Sequence, residues 1–184
     1  MPIHAFAGIT PTIDPTAFVH PDAVVIGDVW IGPESSIWPG VVIRGDVQCI
    51  RIGAGVNIQD GAILHVSRAT EKKPHGLALH IGDQVIVGHN AILHACTLRT
   101  GCMIGMGAIV LDGVVVEEQA MVGAGALVSP GKTVPARELW VGSPARRLRE
   151  LSQEEIIGME STAENYQQLA KQHAQSLLEA AEQK

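Results

Sequence analysis

The sequence predicts an all-β solenoid with a C-terminal α-helix packed along it. Three observations carry this. Aliphatic residues recur every six positions, glycines follow them at matching places, and the final segment switches to a helical pattern. Val19, Val25, Ile31, Ile37 and Ile43 form one aliphatic series, and Leu98, Ile104, Val110, Val116, Val122, Val128 and Val134 form another. Two shorter series, Ile52, Ile58, Leu64 and Ile81, Val87, Leu93, lie between them. A period of six fits neither the helical repeat near 3.6 nor the strand repeat of two. It fits a chain that turns a corner every six residues and buries one aliphatic per side, so that three sides close one coil.

Composition agrees with a thin core. Hydrophobic residues make up 46% of the chain but aromatics only 3%, so the interior is filled by small and branched aliphatics. Gly32, Gly53, Gly82, Gly88, Gly105 and Gly123 each follow an inward aliphatic directly, where a corner needs a positive φ or a tight turn.

Residues 1–16 read as an irregular lead-in with Pro2, Pro11 and Pro15, and residues 17–142 as the solenoid. Ser67 to Leu77 interrupts the repeat with charge, Pro74 and Gly76, and reads as a loop projecting from a corner. Gly142-Ser143-Pro144-Ala145 ends the repeat, which divides the chain into a β-helical domain over 1–145 and a helical appendage over 146–184. Ser152 with Glu155 and Ser161 with Glu164 are two capping boxes, and Gly158 lies between them. They predict a short helix, a bend and a long helix to about Leu178. Ala163, Tyr166, Leu169, His173 and Leu177 would form its buried face.

The net charge of −6 argues against nucleic acid as a partner. No apolar run approaches the ~20 residues of a membrane span, and Met1-Pro2-Ile3-His4 does not open a signal peptide. Cys49, Cys96 and Cys102 form no CxxC pair; an odd count without a leader fits reduced thiols in a cytoplasm.

Function is sought in the histidines. His65 follows Leu64 and His94 follows Leu93. These leucines are 29 residues apart; 11 of those belong to the loop, and the remaining 18 make one full coil. His65 and His94 therefore stack on one side. Adjacent strands lie ~4.8 Å apart, close enough for two imidazoles to share a metal at ~2.0–2.1 Å each. His89 lies five residues before His94 and belongs to another side. A neighbour related by a three-fold axis would have to supply it, which predicts a trimer with metal sites at its interfaces. Three histidines with an open fourth position are a catalytic zinc set. Hydrogen-bonded strand histidines fit the same positions. His4, His20, His75 and His80 read as ordinary polar residues.

The assembled motifs resemble the γ-class carbonic anhydrase family, a branch of the left-handed β-helix, hexapeptide-repeat proteins, over nearly the whole chain. Arg44-Gly45-Asp46 is similar to its arginine–aspartate element, and Asn57-Ile58-Gln59-Asp60-Gly61, followed by His65, to its glutamine–aspartate element. Gly88 to His94 is similar to the segment holding the other two metal ligands. The resemblance implies a left-handed parallel β-helix and a homotrimer, with His65 and His94 of one subunit and His89 of the next binding zinc, or iron or cobalt. It implies that Gln59 hydrogen-bonds the metal-bound water or bicarbonate. Arg44, Asp46 and Asp60 would tie the interface together, and Tyr166 would reach the site from the helix; plain packing on the helix face is the other reading of Tyr166.

The implied reaction is reversible hydration of carbon dioxide to bicarbonate, with metal-bound hydroxide as nucleophile. One departure stands out. Val47 and, approximately, Arg68 occupy places where the family's archetype carries proton-transfer glutamates. That keeps two alternatives in view: a metal-dependent acyl-CoA or other thioester hydrolase, and a carbonic anhydrase-like protein with little or no hydration activity. A metal-free hexapeptide acyltransferase and a non-catalytic trimeric scaffold complete the set.

Overall fold

A computed structural model describes residues 2–182. The chain winds as a parallel β-solenoid of triangular section. The first face is built from the start of Val24–Ile31, the start of Val42–Ile52, then Ile63–His65, Ile92–His94, Ile109–Val110 and Leu127–Val128. Both long strands bend through a corner, and their second halves open the second face, continued by Leu79–Ile81, Thr97–Leu98, Val115–Val116 and Thr133–Val134. The third face is a separate sheet that begins with Phe18–Val19, Ser36–Ile37, Asn57–Ile58 and Ile86–Val87.

The six-residue series is the core. Ile31, Ile37, Ile43, Ile52, Ile58, Leu64, Val87, Leu93 and Ile104 are fully buried, stacked coil upon coil. Corner glycines have a more specific cause than a positive φ. A Cβ on Gly88 would lie 2.6 Å from the Met106 amide nitrogen, and one on Gly105 2.5 Å from that of Ala124. Neither residue has a left-handed backbone; each is glycine because the next coil's backbone passes too close for a side chain.

The lead-in is more ordered than its prolines suggest. Ile3–His4 and Thr12–Ile13 pair in parallel with Val24–Ile31 and extend the first two faces. Ser67 and Leu77 pair across the base of the projecting loop. At the far end Glu138–Gly142 turns back into Ala145–Glu150, an antiparallel hairpin whose exposed Arg146, Arg147 and Arg149 discourage further edge pairing.

One continuous helix, α1 (Gln153–Glu182), follows, not the expected short helix and bend. The first capping box forms: the Glu155 amide donates to Ser152 Oγ at 3.2 Å and the Ser152 amide to Glu155 Oε2 at 2.9 Å. The second does not, because the helix runs through Gly158. A mid-helix glycine costs about 1 kcal/mol, less than the burial of Ile156, Met159 and Ala163 against Ile86, Leu139, Met103 and Met121 returns. The packed stripe is Ile156, Met159, Ala163, Tyr166, Ala170 and Ala174; Leu169 and Leu177 are exposed, a correction to the expected face, while His173, though largely exposed, sets its ring edge-on against Trp38 at 5.0 Å. Small alanines let α1 lie close along the third face. No described helix is long and apolar enough to cross a membrane.

Candidate metal centre

His65 and His94 are register partners on the first face, beside its corner with the second. Nδ1 of His65 faces Nε2 of His94 at 3.2 Å. Each ring's outer nitrogen meets a carboxylate. Asp46 Oδ1 lies 3.0 Å from His65 Nε2, and Asp112 Oδ1 lies 2.5 Å from His94 Nδ1. The order along the stack is carboxylate, imidazole, imidazole, carboxylate. Burial works to raise the Asp46 carboxyl, but hydrogen bonds to His65 and Arg44 hold it below its usual range. Burial likewise opposes the lowering of Asp112, which His94, Ser67 and Lys73 bring about. An ionised carboxylate only accepts, so each outer nitrogen carries the hydrogen, and the two inner nitrogens are the ones free to serve as ligands.

That geometry suits a divalent ion. Two nitrogens ~2.0–2.1 Å from one ion in tetrahedral geometry stand roughly 3.3 Å apart, and these stand at 3.2 Å. Carboxylates behind ligand imidazoles are the usual support of such sites. Among the described residues of one chain, no three His, Cys, Asp or Glu side chains gather closely enough to hold a metal. His89 sits at the opposite corner of the first face, with Nδ1 3.0 Å from Asp60 Oδ2. Its placement away from the pair follows the six-residue spacing.

Gln59 is buried beside that second corner. Its Nε2 donates to Asn57 Oδ1 at 3.0 Å, and its Oε1 accepts from the His89 amide at 3.2 Å. Asn57 Nδ2 and Trp38 Nε1 both donate to Ser36 Oγ. Ser36, Asn57 and Gln59 thus form a satisfied polar chain in an otherwise aliphatic wall. Tyr166 packs edge-on against Trp38, ring centroids 5.6 Å apart, and burial with the nearby Asp60 charge raises its hydroxyl pKa. The packing reading of Tyr166 describes what its ring touches. Arg44 pairs with Asp46 within the chain.

Asp112 and Ser36 carry no signal in the sequence reading, and Asn57 enters it only as part of the Asn57–Gly61 motif, without a role of its own. Asp112 lies 18 residues after His94, but the coil here is 17 residues long, since Leu93 pairs with Val110; Asp112 is thus one position past the register partner of His94 and reaches back to it. Val47 is exposed, as is Arg68 in the loop. Gln48 Nε2 donates to the His75 carbonyl at 2.7 Å and ties the loop to the corner. Cys96 and Cys102 are buried, and burial pushes their thiols up, as small core hydrophobes require.

Comparison with known proteins agrees with this architecture. A bacterial transferase hexapeptide model matches residues 10–45. The chain is 43% identical over 164 residues to Protein YrdA of Escherichia coli, covering 89% of each, and 51% identical over 165 residues to mitochondrial gamma carbonic anhydrase 1 of Arabidopsis thaliana. The chain belongs to the γ-class carbonic anhydrase family. The family's left-handed parallel β-helix with a C-terminal helix is the fold described above. The match covers 89% of this chain but spans only 59% of the length of the Arabidopsis relative. Among solved structures, a Bacillus cereus protein described as a putative acetyltransferase superposes with a TM-score of 0.87 at 41% identity, covering 95% of this chain and 97% of its own.

Proposed function

We propose that this γ-class chain hydrates carbon dioxide reversibly at a divalent metal held by His65 and His94 of one subunit and His89 of the next. The observation that carries the reading is the facing pair of imidazole nitrogens. With carboxylates fixing a hydrogen on each outer nitrogen, two lone pairs point at one another across 3.2 Å. Such an arrangement calls for a cation between them. Once bound, zinc, iron or cobalt supplies a Lewis acid that brings the pKa of water to about 7.

The chain's own residues do the rest. Asp46, Asp60 and Asp112 hold the three rings. Gln59 has its carbonyl engaged by the His89 amide and one amide hydrogen by Asn57, which leaves the other hydrogen to donate to a bicarbonate oxygen. Tyr166 bounds the same corner from α1.

A trimer is supported by the outward column of the first face. Val24, Val42, Ile63, Ile92, Ile109 and Leu127 follow one another in register. All are apolar, none is covered by α1, and Ile63 is 45% exposed. The corresponding column of the third face is the one α1 covers. The uncovered column runs between the His65/His94 corner and the His89 corner. Turning it toward a three-fold axis buries it and brings the two corners of neighbouring subunits together.

A second reading, hydrolysis of an acyl thioester, draws on a recess of about 210 Å³ lined by Phe6, Ile9 and Val47 beside Asp46. Asp28, Gln48 and Cys49 complete its lining, so it pairs an apolar side with polar groups, as an acyl thioester would require. Stopped-flow CO₂ hydration by zinc- and cobalt-reconstituted protein, run beside a thioester panel, tests both. Hydration lost in His89→Ala supports the first reading. Thioester cleavage without hydration supports the second.

A further inference from the structure

We propose that Asp112 is a positioning residue for His94, fixing the ring as the Nδ1–H tautomer so that Nε2 stays an electron-pair donor toward His65. This rests on the metal-centre reading for its purpose, though its geometry stands alone. Asp112 Oδ1 lies 2.5 Å from His94 Nδ1, one coil further along the stack. The carboxylate is firmly mounted. Its own carbonyl accepts from the Gly131 amide at 2.9 Å, the Leu111 amide donates to the Val128 carbonyl, and the Gly113 amide donates to the Ala95 carbonyl. The turn is thereby clamped between the coils on either side. A carboxylate oxygen this close to a ring nitrogen is the accepting partner, which puts the hydrogen on His94 Nδ1.

The physical consequence is specific. An imidazole freed from Asp112 can carry its hydrogen on either nitrogen. A hydrogen on Nε2 would occupy the position aimed at His65 and remove a ligand. Asp46 does for His65 what Asp112 does for His94, so the pair is supported from both ends.

The test uses the full chain, with Co²⁺ as probe. Imidazole ¹⁵N shifts of the metal-free protein are read above the titration range of histidine. Wild type shows His94 as Nδ1–H. Asp112→Ala moves it to the Nε2–H pattern, and Co²⁺ affinity falls about 10–100-fold. Asp112→Leu, which keeps size and has no acceptor, covers the case in which the alanine variant misfolds; its Co²⁺ affinity falls at least about tenfold. His94 unchanged in Asp112→Ala, or Asp112→Leu binding Co²⁺ like wild type, overturns the proposal. If wild type binds no Co²⁺ yet its Nδ1–H tautomer is lost in Asp112→Ala, the positioning role stands and the metal reading falls.

Discussion

His65 and His94 face each other nitrogen to nitrogen at 3.2 Å, with Asp46 behind one ring and Asp112 behind the other. His89, the remaining candidate ligand, lies at the far corner of the same face with Asp60 as its own carboxylate. The candidate ligands are therefore divided between two corners of one chain, and the proposed site needs a second subunit to complete it.

Mixed assemblies test that division. His65→Ala and His89→Ala each abolish tight metal binding when alone. Refolded together in equal amounts, they regain about one quarter of the wild-type metal content, since a quarter of random interfaces pair an intact His65/His94 corner with an intact His89 corner. Metal analysis of the mixture measures this. No recovery would place all ligands within one chain.

A charge in the apolar column of the first face should separate subunits. Ile63→Lys places an ammonium where a dry interface would lie, and burying an unpaired charge costs several kcal/mol. Sedimentation should show monomer, with metal lost alongside. His80→Lys, on the exposed second face, should leave assembly unchanged.

Val47 governs proton release if hydration is the reaction. It is 46% exposed beside Asp46 and has no titratable group. Wild-type turnover should rise with buffer concentration. Val47→Glu should raise kcat on the order of tenfold in weak buffer and flatten that dependence. A rate indifferent to both changes would remove proton transfer from the slow step.

Acid should loosen the start of α1 before the solenoid. Glu155 falls from an ordinary 4.5 to about 2 because of Arg149 and the Ser152 amide. Its folded pKa is depressed, so its contribution is present above the unfolded value and is lost as pH falls from about 4.5 through about 2. Amide exchange in the first turn should quicken across that window. Arg149→Ala should shift the Glu155 titration upward; an unmoved midpoint would discard the ion pair as the cause.

Much of this molecule was legible in the order of its residues. A period of six allows only a chain that turns at that interval, so the inward series Leu64, Leu93 and Val110 could be named, and the stacking of His65 on His94 followed once the 67–77 loop was removed from the count. The separation of His89 followed from the same arithmetic. Tertiary structure alone decided what lies between coils. Spacing places a Cα but not a rotamer, so Asp112 reaching His94, and Ser36 and Asn57 holding Gln59, emerged only with side chains in place. It also decided the helix. Two capping boxes and Gly158 argued locally for a break, but the apolar third face needed covering along its length, and that burial outweighs one glycine.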